Sequence, residues 1–152
     1  MQALQQIFNF VPLTARVGTA GQPLAGQFKA IAAAGYEAVL NLAMPDHAEA
    51  IDDEAAIVTS LGMTYLHIPV PFDAPRMAHQ RQFIRLMQAL GDQRVFVHCI
   101  MNYRVSVFMY QYLRVCEGYD DASARSPIFE TWQPDARWQE LMAVDARALV
   151  LD

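Results

Sequence analysis

Cys99 and Arg104 stand five positions apart in the run Val97-His98-Cys99-Ile100-Met101-Asn102-Tyr103-Arg104-Val105-Ser106. A cysteine acts as a nucleophile through its thiolate, and a guanidinium offers two parallel donors to a tetrahedral oxyanion. A lone cysteine at the end of an apolar strand is more often a small buried hydrophobe. An arginine entering an apolar helix is costly to bury unless an anion or a carboxylate meets it. The pair therefore favours an anion site, with a structural acid such as Glu54 as the alternative partner for Arg104.

The flanking residues say how the pair would be held. Residues 94–97 read as a buried strand, and residues 105–115, apolar on nearly every side, as a helix central to the domain. A strand, a short loop and a helix in succession put the loop at a helix N-terminus, where unpaired N–H groups and the helix dipole attract anions and favour thiolate over thiol.

Three more short apolar runs, near residues 16–18, at 37–43 and at 64–68, alternate with helical patterns. The helical faces carry Phe28, Ile31 and Ala32, then Ile51, Ala55 and Val58, then Phe83, Leu86, Met87 and Leu90. This rhythm predicts an α/β fold, a central, mostly parallel sheet of four or five strands flanked by helices. Such a sheet presents its sites at the carboxyl ends of its strands. Two aspartates lie in loops leaving those ends: Asp73, among Pro69, Pro71 and Pro75, and Asp46, after the 37–43 strand. Either could serve as a general acid, and spacing alone does not choose between them.

A chain of 152 residues fits one domain that buries roughly 70% of its unfolded surface. We expect a single domain over residues 1–152, with 1–14 as an N-terminal extension and 119–152 as a helical segment packed on the body through Trp132 and Trp138. The net charge of -5, the single lysine and the scattered arginines give no footprint for nucleic acid or an anionic membrane. The start has no basic region followed by a long apolar one, and Arg94, Arg104 and Arg114 interrupt the most apolar stretch, so a cytoplasmic protein without a membrane segment is expected. Cys99 and Cys116 lie on the order of 25 Å apart if a helix joins them, too far to bridge. No CxxC or His/Cys cluster points to a metal or another cofactor. His47 and His79 read as surface residues, and His67 as a core histidine.

The segment VHCIMNYRVS, together with Gly21-Gln22-Pro23, AGYEAVLNLA and LGMTYLHIPVPFDAP in that order, resembles the protein tyrosine and dual-specificity phosphatases, in particular their small bacterial branch. The resemblance runs over residues 15–116. It implies that Cys99 attacks phosphorus to form a phosphocysteine, which water then hydrolyses. Arg104 would clamp the equatorial oxygens, and the backbone amides of Ile100, Met101, Asn102, Tyr103 and Arg104 would cradle them. By the same resemblance His98 supports the thiolate, Ser106 aids release of the cysteine, and Asp73 protonates the leaving group. The implied partner is a phosphorylated protein or small molecule.

The chain departs from the common signature, which has five residues, one of them glycine, between cysteine and arginine. Here there are four and no glycine. Asn102 stands where a glycine would permit a left-handed backbone, and asparagine is among the few residues that tolerate one. A four-residue spacing also resembles rhodanese-type sulfurtransferases, whose cysteine carries a persulfide. A catalytically weak anion-binding domain is the third reading. The His-Cys dipeptide and the HIPVPFDAP segment put the phosphatase first.

Overall fold

The computed structural model describes residues 2–150. Its centre is a sheet of four parallel strands, β1 (Val17–Ala20), β2 (Ala38–Asn41), β3 (Thr64–His67) and β4 (Val95–His98), in the spatial order β1-β4-β2-β3. The expected α/β class and parallel sheet are both present. In register, His98 faces Ala20 on one side and Asn41 on the other, and Asn41 also faces His67. All four strands thus end at one edge, and the residues after each strand meet there.

Around the sheet the chain forms α1 (Gln2–Gln5), α2 (Phe28–Ala33), α3 (Glu54–Ser60), α4 (Met77–Ala89) and α5 (Tyr103–Cys116). The C-terminal part adds α6 (Asp121–Ala124), a 3-10 turn at Pro127–Glu130, α7 (Ala136–Met142) and α8 (Ala146–Val150). Gly35 and Gly62, the expected helix stops, sit at φ +93° and +87°, the left-handed conformation that ends a helix at least cost to glycine.

The alternation of side chains along the strands explains why both faces need helices. Val95 and Val97 of β4 and Ala38 and Leu40 of β2 join one apolar cluster with Phe83, Met87, Phe108 and Trp138. Phe96 and Val39 point the other way, into a second cluster with Phe28, Ile31, Tyr36 and Val58. Helix α5 belongs to the first cluster and is buried without interruption from Arg104 to Leu113, as a helix apolar on nearly every side requires. No helix among the described residues is long and apolar enough to cross a membrane.

One expectation needs correction. His79 is buried rather than exposed, and its Nδ1 accepts the Arg76 backbone N–H at 3.1 Å, closing the first turn of α4. Trp132 and Trp138 pack on the body as expected, both against the Phe72 ring beside the cavity described next.

Candidate active site

Strand β4 delivers the buried His98 and Cys99 into a loop that ends at Asn102, where α5 begins. Asn102 adopts φ 70°, ψ 6°, the left-handed conformation its place in the shortened loop calls for. Its Nδ2 donates to the Asn9 carbonyl at 2.9 Å and to Thr19 Oγ1 at 3.1 Å, while Asn9 Nδ2 donates to the Met101 carbonyl at 2.9 Å. The side chain thus does what a glycine could not, tying the turn to β1 and to the N-terminal segment.

The Gly21-Gln22-Pro23 turn supports the loop from the other side. The Gln22 N–H donates to the Ile100 carbonyl at 2.9 Å, and the Cys99 N–H donates to the Ala20 carbonyl at 3.3 Å. The first bond inside α5 runs from the Ser106 N–H to the Asn102 carbonyl at 3.0 Å, so the N–H groups of Tyr103, Arg104 and Val105 have no partner within the helix. The Ser106 hydroxyl donates to the Tyr103 carbonyl at 2.6 Å, which engages it with the helix backbone.

Cys99 and Arg104 border one cavity of about 600 Å³, together with Ile100, Met101, Tyr103, Phe72, Met44, Asp46, His47 and Ala48. Arg104 is 6% exposed. One of its terminal nitrogens donates to the Val70 carbonyl at 2.9 Å, its guanidinium carbon lies 5.7 Å from the centre of the Phe72 ring, and its Nε is buried without a protein partner. Among the described residues no carboxylate pairs with it. A buried guanidinium with an open donor and no counter-charge is the arrangement that an anion in the cavity would complete.

Glu54, the expected alternative partner of Arg104, turns instead to His98. Its Oε2 lies 2.6 Å from His98 Nε2, and its Oε1 accepts from Gln22 Nε2 at 2.8 Å. The other ring nitrogen, Nδ1, lies 3.1 Å from the Cys99 carbonyl oxygen. Burial opposes ionisation of Glu54, but hydrogen bonds and charge from His98, with further bonds from Gln22 and Tyr65, outweigh it and hold the carboxyl below its ordinary value. Tyr65 is itself pushed up to about 12, by burial first, partly offset by the bond from Asn41, with the Glu54 charge adding to the rise. The sequence tied Glu54 to Arg104 rather than to His98, and it gave Gln22 no bond to the loop, although the Gly21-Gln22-Pro23 turn was the available signal.

The two candidate acids are placed differently. Asp46 borders the cavity and Asp73 does not. Asp73 is exposed, and its carbonyl is bound by the Arg137 guanidinium of α7. It follows Phe72 directly, however, and Phe72 forms part of the cavity wall, held by a bond from Trp138 Nε1 to its carbonyl at 2.9 Å. Beside it the Tyr103 and Trp132 rings stack at 4.7 Å with 3° between their planes. Among the described residues no three His, Cys, Asp or Glu side chains are grouped to hold a metal ion.

No family model and no curated protein matches the chain. Among solved structures, a DUF442 protein of Shewanella putrefaciens CN-32, described as a putative phosphatase, is 30% identical, with 93% of this chain aligned to 90% of that one at a TM-score of 0.83. The chain belongs to the DUF442 family. A second structure under the same description aligns with this DUF442 chain over 97% of its length and 96% of the other, at 29% identity and a TM-score of 0.86. The P. aeruginosa protein TpbA, solved in complex with pTyr, is 19% identical over 93% of this chain and 88% of its own, at a TM-score of 0.70. The fold of the DUF442 chain is therefore that of the cysteine-dependent phosphatases, as the resemblance of its loop implied.

Proposed function

We propose that the protein is a phosphoric monoester hydrolase that works through a phosphocysteine on Cys99. The observation that carries this reading is that Cys99 and the buried, carboxylate-free Arg104 border the same cavity at the N-terminus of α5. The Cys99 thiolate attacks phosphorus, the S–P bond forms as the bond to the leaving oxygen breaks, and a carboxylic acid gives that oxygen a proton. Water then breaks the S–P bond, returning inorganic phosphate and the thiolate. Arg104 and the amides of residues 100–104 stabilise the charge on the three non-reacting oxygens.

The acid in this reading is Asp73, the position the phosphatase resemblance assigns, with Asp46 as the carboxyl that already borders the cavity. His98 supports the thiolate and Ser106 serves the second step. The catalytic unit takes in the whole chain, because Asn9 holds the loop at Met101 and Trp138 holds Phe72. A phosphorylated protein or small molecule is the substrate, and the reducing cytoplasm, where a free thiol persists, is the compartment that suits this chemistry. Release of the alcohol from an activated aryl phosphate, measured with wild type and Cys99→Ser, tests the reading: the activity should vanish with the sulfur.

A further inference from the structure

We infer that Glu54 is a positioning residue that keeps His98 doubly protonated beside Cys99, so that the nucleophile faces a fixed positive charge built into the fold. The catalytic meaning of this inference rests on the phosphatase reading above, but the charge state does not. His98 is completely buried, and Glu54 is 3% exposed, at the edge of a cavity that Asp52, Tyr65 and His67 also border. The Nδ1 of His98 faces the Cys99 carbonyl oxygen at 3.1 Å, an atom that can only accept, so this nitrogen carries a proton. The Nε2 faces Glu54 Oε2 at 2.6 Å, the short separation of a charge-assisted bond. An ionised carboxylate also only accepts, so the second nitrogen carries a proton as well.

The surroundings of Glu54 support its ionised form. Its other oxygen accepts from Gln22 Nε2 at 2.8 Å, and the Tyr65 hydroxyl, which receives Asn41 Nδ2 at 3.0 Å, interacts with it too. The Phe28 ring packs edge-on against the imidazole, at 6.1 Å between centroids, and contributes no charge. Without the Glu54 carboxylate the proton on Nε2 would lose its acceptor, and a buried imidazolium with no partner is costly. The imidazole is bonded to the cysteine's own carbonyl through Nδ1 and to the carboxylate through Nε2, so the ring is the member of the pair turned toward Cys99.

The first test needs no variant. Nitrogen-15 spectra of the wild-type imidazoles near neutral pH should show His98 with both ring nitrogens protonated, and a neutral ring with one bare nitrogen would overturn the inference. The second compares alkylation of Cys99 by iodoacetamide in wild type, Glu54→Gln and Glu54→Asp, with no phosphate ester present. At about pH 6 the glutamine variant should react roughly tenfold more slowly, its reactivity recovering at higher pH, and the aspartate variant should recover part of the rate. An unchanged pH profile in a folded Glu54→Gln protein would also overturn it. Because neither readout depends on turnover, an inactive wild type would count against the phosphatase reading and leave this inference standing.

Discussion

A Cβ on Gly21 would sit 2.4 Å from the carbonyl oxygen of Ile100, the same oxygen that accepts the Gln22 N–H at 2.9 Å. The turn after β1 therefore touches the anion loop so closely that only glycine fits, and the obstacle is backbone, which cannot swing aside. Gly21→Ala should shift the loop, lower kcat/KM at least tenfold and cost about 1–3 kcal/mol of stability. Denaturant unfolding and steady-state kinetics on the same preparation check both, and a fully active variant would show that this contact does not set the loop.

Asn102 gives the short loop its left-handed turn and binds both Asn9 and Thr19. Asn102→Ala loses these bonds and must also hold a positive φ, at a combined cost of about 2–4 kcal/mol. Asn102→Gly keeps the backbone freedom and should lose less stability than alanine. Thermal melts of the two variants rank them, and alanine equal to or better than glycine would contradict the role assigned to the turn.

The position of the acid can be decided by leaving groups. Asp73→Asn should slow hydrolysis of esters with poor leaving groups by roughly a hundredfold and barely affect activated aryl esters. Asp46→Asn should weaken both modestly, through the shape and charge of the cavity. If the leaving-group dependence appears in Asp46→Asn and not in Asp73→Asn, the acid is Asp46.

Stability should also depend on pH through Glu54. Its folded carboxyl is held below the ordinary value, so the unfolded chain takes up that proton more readily. The stabilisation is therefore complete above the ordinary carboxylate range and is lost as pH falls through the folded value. The wild-type Tm should drop as pH is lowered below about 4.3, the ordinary glutamate value. A Tm that stays flat through this range would contradict the assignment.

Much of this was legible in the chain because the signals are local. The β4-loop-α5 succession is written in consecutive residues, and strand, turn and helix each follow from short-range patterns around Cys99 and Arg104. The left-handed Asn102 could be anticipated from residue type and position alone. What lay hidden depends on the order of strands in the sheet. Because β4 lies between β1 and β2, the loop meets Gln22, 78 residues before Ile100, from the turn after β1, and Glu54, 44 residues before His98, from the segment after β2. The same holds for α7, where Trp138 Nε1 donates to the Phe72 carbonyl at the cavity wall. A tryptophan in an amphipathic helix reads as core, and its N–H shows its purpose only once the fold places an acceptor beside it.

The most direct test is to quench the enzyme within its first turnovers on an activated aryl phosphate and weigh its peptides by mass spectrometry. The account predicts one added phosphoryl group on the peptide containing Cys99, absent from Cys99→Ser. Turnover with no phosphoryl group on Cys99, or with one on another residue, would contradict it.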